Sequence, residues 1–223
     1  MYDSAIKILR LITEAGFEAY IVGGYPRDKY LGIISTDIDI CTSATPSDIE
    51  ELFSNVDTTY SKYGSVRLEY SGYLYEVTTF RKDKALMDGN RYYEVEYACS
   101  LEEDLKRRDF IINTLCIDYN GNYVDYLEAR NDMDKKVIRT VKVASISFRE
   151  DPLRILRAIR FCAILSFDLS DDLCDAINEL KYNLTKLSKT RVQKELTLIL
   201  ESNTGVNILK KFEIDKLLNI DLG

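Results

Sequence analysis

Histidine is absent from this sequence of 223 residues. Its absence excludes Ser-His and Cys-His catalytic sites, histidine general bases and metal sites built on imidazole ligands. The five cysteines are scattered and include no C-x-x-C pair, which indicates reduced thiols and argues against a zinc site. No apolar run approaches the length of a membrane-spanning helix, and the N-terminus lacks a signal-peptide pattern. We therefore expect a cytoplasmic protein with no membrane segment.

An excess of positive charge is missing as well. The net charge is −7, which is not typical of a nucleic-acid-binding protein. Basic residues still cluster within 106–108, 135–142 and 149–160, and a local basic surface on an acidic protein is one interpretation of these clusters. Charge runs are most often solvated faces, and these clusters alone predict no partner. The length is sufficient for a buried core, in one large or two small domains.

The chain is organised around a glycine bend. An apolar strand is predicted for residues 19–22, and it breaks at Gly23-Gly24. A short helix follows, with Pro26 near its first position and Gly32 past its end. Because glycine has no side chain, the backbone amides of the bend can approach a phosphate next to a helix N-terminus. A Gly-Gly pair on its own is more often an ordinary turn.

Two acidic residues follow on the next predicted strand. Asp37 and Asp39 are separated by one residue, so an extended chain points both carboxylates to the same face. Like charges that close repel unless a cation lies between them, and Mg²⁺ suits such oxygen ligands. A D-x-D alone is more often a strand end or a cap. Coupled to the preceding G-G-x-x-R-D, it predicts a metal site beside a phosphate cradle.

The rest of the first half predicts an α+β arrangement. Residues 3–15 form an amphipathic helix, Thr45-Pro46 opens another, and a β-hairpin turns at Ser71-Gly72. On its second strand Glu76 has two interpretations: a solvent-facing residue, or a third carboxylate of the metal site if this strand lies beside the aspartates. Residues 82–99 have no clean period, and a polar loop of this length is usually functional or disordered.

A basic doublet with an acid follows the helix that Ser100 caps. Arg107, Arg108 and Asp109 precede an apolar run. They are interpreted either as an ion-paired helix end or as a site where arginine holds phosphates and the aspartate holds a ribose hydroxyl.

After about residue 137 the sequence reads as successive helices. Ser147 and Glu150 form a capping-box pattern for one of them, with Pro152 in its first turn. On that helix Asp151 and Arg154 would share a face, and a carboxylate beside a guanidinium complements the hydrogen-bonding edges of cytosine and adenine. The alternative is an ordinary ion pair at a helix start. We predict a head domain over 1–137 and an all-α neck over 138–223.

Taken in order, these motifs resemble those of the class II nucleotidyltransferases of the DNA polymerase β superfamily. That group contains the bacterial CCA-adding tRNA nucleotidyltransferases and the bacterial poly(A) polymerases. The matching stretches are G-G-Y-P-R-D (23–28), D-I-D (37–39), E-V-T-T-F-R (76–81), R-R-D-F-I-I-N (107–113), R-N-D-M-D-K-K-V-I-R (130–139) and E-D-P-L-R-I-L-R-A-I-R-F (150–161).

The resemblance implies a polymerase-β-like head with a mixed sheet, an all-α neck, and phosphoryl transfer with two Mg²⁺ ions. Asp37 and Asp39 would bind the metal, Glu76 would be a third catalytic carboxylate, and the motif at 150–154 would recognise the base. The nucleotide-binding residues implied are Gly23, Gly24, Arg27, Arg108, Asp109, Asp151, Arg154, Arg157 and Arg160.

The activity implied is template-independent addition of CCA to the 3′ end of tRNA from CTP and ATP. The alternatives are a poly(A) polymerase or A-adding enzyme that uses ATP only, and a non-catalytic module that binds RNA or nucleotides. The 82–99 loop resembles the family's flexible loop and disfavours a CC-only enzyme. The length has three interpretations: a truncated chain, a naturally minimal enzyme, or one half of an assembly. No oligomeric state is predicted.

Overall fold

The computed structural model describes residues 1–83, 95–98 and 100–220. The chain divides into two compact units. The first consists of Met1–Arg108 and Asn113–Arg130, and the second of Asp109–Ile112 and Asn131–Gly223. The functional boundary at residue 137 stays a prediction. Most of the 82–99 loop lies outside the described residues.

The described elements of the first unit are helices and short strands. Its helices are α1 Tyr2–Glu14, α2 Gly24–Tyr30, α3 Pro46–Leu52 and α4 Leu101–Lys106. Its strands are β1 Ala19–Val22, β2 Asp39–Thr42, β3 Val56–Asp57, β4 Ser65–Tyr70, β5 Tyr73–Thr79, β6 Arg81–Asp83, β7 Val95–Tyr97, β8 Cys116–Ile117 and β9 Tyr123–Val124. Helix α5, Ala129–Asp134, crosses the division between the units.

A seven-stranded sheet forms the centre of the first unit. Its strand order is β3-β4-β5-β2-β1-β8-β9. Strands β2 and β5 pair in parallel, and the other neighbours pair antiparallel. This mixed sheet with its helices confirms the predicted α+β head. Strand β2 is central, so residues of β1 and of β5 flank each of its positions.

Helix α1 covers one face of this sheet, as its apolar period predicts. Its buried residues are Ala5, Ile8, Leu9 and Ile12, which recur at helical spacing. They join the core formed by Ile21, Ile38, Ile40, Val66, Leu68 and Val77. Burial of this apolar stripe, rather than helix propensity, is what stabilises a helix of this length.

Local turn and cap signals are confirmed in the first unit. Thr45 caps α3: its hydroxyl accepts from the backbone N–H of Asp48, whose carboxylate accepts in return from the N–H of Thr45. The hairpin of β4 and β5 turns at Ser71 and Gly72, both with positive φ, a geometry that matches the twist of the strands.

The second unit is mainly helical, as predicted. Its helices are α6 Ala144–Glu150, α7 Leu153–Leu165, α8 Asp171–Leu180, α9 Lys189–Leu200, α10 Gly205–Lys211 and α11 Ile214–Leu217. One difference from the prediction is a pair of short strands. Strands β10 Val137–Ile138 and β11 Asp168–Leu169 pair in parallel, each too short to show a period in the sequence. Across the described residues, no helix combines the length and the apolar character needed to cross a membrane.

Candidate functional site

The glycine bend lies beside the first predicted metal ligand. Gly23 joins β1 to α2 with φ +83°, a conformation that favours glycine. Val22 is in register with Asp39 on the neighbouring strand. A Cβ built on Gly23 would lie 3.3 Å from Oδ2 of Asp39. The bend therefore lies against this carboxylate, as the pairing of the two motifs predicts.

Asp39 has a second acidic neighbour on its other side. Strand β5 pairs with β2 so that Glu76 is directly opposite Asp39. This confirms the condition set for Glu76, that its strand lies beside that of the aspartates. Glu76 is exposed, and its Oε1 accepts a hydrogen bond from the hydroxyl of Ser65 at 3.0 Å. Asp39 thus lies between the glycine bend on one side and the strand that carries Glu76 on the other.

Asp37 was predicted to lie in the same strand as Asp39, but it does not. Strand β2 begins at Asp39, and Asp37 is an exposed residue that precedes it. Between them Ile38 is buried, so the side chains still alternate in burial as in an extended chain. Burial, followed by the charges of Asp37 and Glu76, raises the pKa of Asp39 to about 6. Asp37 is therefore close enough to Asp39 to repel it.

The repulsion between these carboxylates bears on whether they could bind a divalent cation. No group of three His, Cys, Asp or Glu side chains converges as a metal-binding cluster among the described residues. The carboxylates of Asp37 and Asp39 nevertheless repel each other in a partly buried setting, which a bound cation would reverse. Oxygen ligands of this kind fit Mg²⁺. The residues fit the ion as a pair, with Glu76 as a neighbour.

Arg27 is held within the bend's helix. It is 8% exposed and contacts Asp28, with Nη2 to Oδ1 at 2.7 Å. Its Nη1 donates to Oδ1 of Asn113 at 2.7 Å. Asn113 comes from the R-R-D-F-I-I-N stretch, so these two motifs meet in the first unit. These two charge-assisted contacts hold the buried guanidinium of Arg27 in place.

Arg108 brings positive charge to the carboxylates. Its Nη2 forms a salt bridge of 2.9 Å with Oδ2 of Asp104, whose Oδ1 also pairs with Arg107 at 2.8 Å. Asp104 is 0% exposed. The guanidinium of Arg108 lowers the pKa of Asp39, although burial and the neighbouring acids outweigh it. The predicted phosphate ligand Arg108 is thus near the bend, and Asp104 orients it.

Asp109 lies in the second unit, unlike the two arginines that precede it. Its Oδ2 accepts from Nε of Arg157 at 2.7 Å, and its Oδ1 accepts from the backbone N–H of Phe110 at 2.8 Å. Arg160 pairs with the buried Glu195 at 3.0 Å. Three of the predicted nucleotide ligands therefore take part in ion pairs within this unit.

The base-recognition motif differs from its prediction. Helix α6 begins at Ala144, so Ser147 lies in its middle and is not a cap. Asp151 follows the end of α6, while Arg154 lies in α7 and donates to the Ser147 hydroxyl at 2.9 Å. Asp151 accepts from Nη2 of Arg191 at 3.0 Å. The two residues do not share one helix face, because the helix breaks between Glu150 and Leu153.

The predicted site residues divide between the two units. The first unit contains Gly23, Gly24, Arg27, Asp37, Asp39, Glu76 and Arg108. The second contains Asp109, Asp151, Arg154, Arg157 and Arg160. Sequence reasoning missed Asp104, Asn113, Arg191 and Glu195. The spacing of Asp104 and Arg108 at i and i+4 was a signal for their pairing, whereas the other three are brought in by long-range packing.

Comparison with known proteins supports the motif assignment. Residues 19–139 match the family model described as "Poly A polymerase head domain", and residues 166–220 match "Probable RNA and SrmB- binding site of polymerase A". The chain is similar to a CCA-adding enzyme of Lactobacillus johnsonii, at 41% identity over 87% of this chain and 49% of the relative.

Two solved structures show the same fold. The Bacillus stearothermophilus CCA-adding enzyme in complex with CTP superposes with a TM-score of 0.85 at 38% identity, over 93% of this chain and 50% of that one. The Thermotoga maritima CCA-adding enzyme complexed with tRNA_CCA gives a TM-score of 0.78 at 26% identity, over 96% and 51%. The chain thus spans about half the length of the relatives it matches.

Proposed function

Since the chain belongs to the family defined by the poly(A) polymerase head domain, we propose that it is a template-independent RNA nucleotidyltransferase that adds C and A to the 3′ end of tRNA from CTP and ATP. The observation that carries this proposal is the position of Asp39, between the Gly23 bend and Glu76. The similarity to CCA-adding enzymes supports the choice of nucleotides and of tRNA. A tRNA substrate and reduced cysteines favour the cytoplasm as its location.

The residues of the first unit suit the binding of a nucleoside triphosphate. Asp37 and Asp39 would hold Mg²⁺, which when bound activates the RNA 3′-hydroxyl and neutralises charge on the departing pyrophosphate. Gly23 keeps the space beside Asp39 open, because any side chain there would meet the carboxylate. Arg108 supplies a buried positive charge on the same side, held in place by Asp104. No histidine base is needed for this chemistry.

For the second unit we propose base recognition. Asp151 would present a carboxylate acceptor that Arg191 holds in place, and Arg154 would present the guanidinium donor. An acceptor beside a donor complements the N4 amine and N3 of cytosine, or the N6 amine and N1 of adenine. Uracil and guanine present the reverse arrangement and would leave polar groups unpaired, at about 1–3 kcal/mol each.

An extension assay tests the proposal. A tRNA minihelix that lacks CCA is incubated with each nucleoside triphosphate alone and with CTP plus ATP, in Mg²⁺. We expect incorporation of C from CTP alone, of CCA from both, and none from UTP or GTP. An Asp39→Ala variant should be inactive, and the control Asp175→Ala, an exposed residue on α8, should be active.

The family model itself favours one alternative, a poly(A) polymerase. In that case ATP alone would be incorporated repeatedly and CTP would not be used. A protein that binds the minihelix but transfers no nucleotide under any of these conditions would instead be a non-catalytic module, and the enzymatic proposal would be wrong.

A further inference from the structure

A row of side chains crosses the sheet next to Asp39. Glu76 is in register with Asp39, Arg67 with Glu76, and Asp57 with Arg67. Residues directly opposite each other point to the same face of a sheet. Adjacent strands are about 4.8 Å apart, so the backbone of Arg67 is about 10 Å from that of Asp39. Arg67 is thus an exposed cation on the catalytic face of the first unit.

Two exposed tyrosines accompany this arginine. Tyr60 and Tyr63 are 42% and 38% exposed; Tyr60 precedes the short 3₁₀ turn Ser61–Tyr63, and Tyr63 is its last residue. The guanidinium carbon of Arg67 lies 4.9 Å from the ring centroid of Tyr60, and Nζ of Lys62 lies 4.9 Å from that of Tyr63. Each of the two exposed rings therefore has a cation against it.

The tyrosines are held in place by the surrounding structure. Arg81 donates to the backbone carbonyl of Tyr63, which fixes the turn. Asp57, the acidic neighbour of Arg67, accepts from the backbone N–H of Thr59 at 2.9 Å. Asp57 is thus bonded to the turn while its carboxylate also interacts with the charge of Arg67, and the guanidinium of Arg67 stacks on Tyr60. Rings held in this way lose little entropy when a ligand stacks on them.

We propose that Tyr60, Lys62, Tyr63 and Arg67 form a tyrosine platform that binds the nucleotides at the single-stranded 3′ end of the RNA substrate. The proposal rests on the proposed function, since it adds an RNA subsite to the same catalytic face. Bases stack on aromatic rings irrespective of sequence, and lysine and arginine contact the phosphates. The distance of about 10 Å corresponds to roughly three stacked nucleotides at about 3.4 Å each.

The test measures RNA binding without nucleotide transfer. The probes are a fluorescein-labelled RNA hairpin with a three-nucleotide 3′ overhang and the same hairpin with a blunt end, and the readout is fluorescence anisotropy. We expect the wild type to prefer the overhang. A Tyr60→Ser, Tyr63→Ser variant should bind the overhang probe about tenfold more weakly, since stacking contributes about 1–3 kcal/mol per base. Arg67→Gln should weaken it too and reduce the dependence on salt.

Two variants make the test specific. Tyr60→Phe, Tyr63→Phe keeps the rings and should bind as the wild type does. Tyr73→Ser removes a tyrosine that is 40% exposed on the same hairpin but points to the opposite face from Glu76, and it should also bind normally. The KM for CTP should be unchanged in all of these variants, whereas the KM for the minihelix should rise in the double serine variant.

The outcomes separate this inference from the proposed function. If the wild type binds both probes equally or not at all, or the double serine variant binds the overhang as tightly as the wild type, the platform is wrong, whatever the extension assay shows. If the predicted binding pattern is found but no nucleotide is transferred, the platform stands and the enzymatic proposal fails.

Discussion

The backbone of Gly23 packs against the carboxylate of Asp39, since a Cβ on Gly23 would lie 3.3 Å from the Oδ2 atom of Asp39. The antiparallel register that pairs Val22 with Asp39 produces this proximity. The residue after the strand must turn away with positive φ while leaving the carboxylate accessible. Glycine meets both requirements, and any larger residue displaces the carboxylate or the bend.

A Gly23→Ala variant should therefore lose activity beyond its loss of stability. We expect nucleotide transfer to fall about 100-fold, because a displacement of about 1 Å at a catalytic group has effects of this size. The positive φ of an alanine should lower the free energy of unfolding by about 1–2 kcal/mol. The measurements are single-turnover extension of a tRNA minihelix and urea unfolding.

Gly72→Ala is the matched control. Gly72 has φ +76°, close to that of Gly23, but a Cβ there meets no atom within 4 Å. It should destabilise the protein similarly and leave transfer unchanged. Equal losses of activity in the two variants would show that backbone strain, and not the contact with Asp39, is responsible.

The carboxylate of Asp39 should destabilise the metal-free protein. Burial, then Asp37 and Glu76, raise its pKa from 3.8 to about 6. A raised pKa means that its favourable contribution is complete below about pH 4 and lost as the pH rises through about 6. Asp39→Asn should thus increase the free energy of unfolding at pH 7.5, by at most about 3 kcal/mol. Urea unfolding in EDTA, from pH 4 to 8, measures the difference.

Mg²⁺ should make the wild type more stable than Asp39→Asn, the reverse of their order in EDTA. The wild type should gain thermal stability with increasing Mg²⁺ because the ion binds the folded state only, and Asp39→Asn should gain little. Asp175→Asn, which changes an exposed carboxylate of α8, should respond as the wild type does. If Mg²⁺ stabilises Asp39→Asn as strongly as the wild type, Asp39 is not a metal ligand.

The bend and its aspartates were predictable because the signals are local. Two adjacent glycines mark the turn, and alternation places Asp37 and Asp39 on one side of the chain. The parallel pairing of β2 with β5, which brings Glu76 opposite Asp39, joins strands separated by a helix and a hairpin. The sequence offered Glu76 only as one of two interpretations, since pairing partners depend on the packing of the whole sheet.

The error at Ser147 has a local physical reason. The spacing of Ser147 and Glu150 fits a capping box, but Pro152 disfavours the helical conformation of the residue before it. The helix ends at Glu150, Asp151 adopts an extended backbone, and a new helix begins at Leu153. Asp151 accepts from Arg191, 40 residues later, a contact that no local pattern indicates.

Asp104 should be essential for the arrangement of Arg108. Burial opposes its charge, but Arg108 and Arg107 outweigh burial and hold the pKa of the Asp104 carboxyl below its ordinary value. Asp104→Asn leaves both guanidinium groups without their buried counter-charge, so the free energy of unfolding should fall by about 3–5 kcal/mol. Nucleotide transfer should fall as well, with a raised KM for CTP. Urea unfolding and steady-state extension measure the two effects.

The loss should depend on pH in a defined direction. Because the pKa of Asp104 is lowered, its stabilisation is present above the ordinary value of 3.8 and lost as the pH falls through the lowered value. The difference between wild type and Asp104→Asn should therefore shrink only below about pH 4. Glu102→Gln breaks the exposed pair with Lys106 on the same helix and should change stability by less than about 1 kcal/mol at any pH. A difference that persists unchanged at pH 2 would contradict this account.

Arg191 should affect the choice of nucleotide through Asp151, without contacting the groups that react. Its Nη2 donates to both carboxylate oxygens of Asp151, at 3.2 and 3.0 Å, and so fixes the orientation of the proposed base acceptor. Arg191→Gln should lower the ratio of kcat/KM for CTP to that for UTP about tenfold, since one misplaced hydrogen bond is worth about 1–3 kcal/mol in discrimination. Arg149→Gln, which removes the exposed pair with Glu179, is the control and should keep the ratio. Because a structural defect alone would lower kcat/KM for both nucleotides equally, an unchanged ratio in Arg191→Gln would remove Asp151 from the proposed base-recognition group.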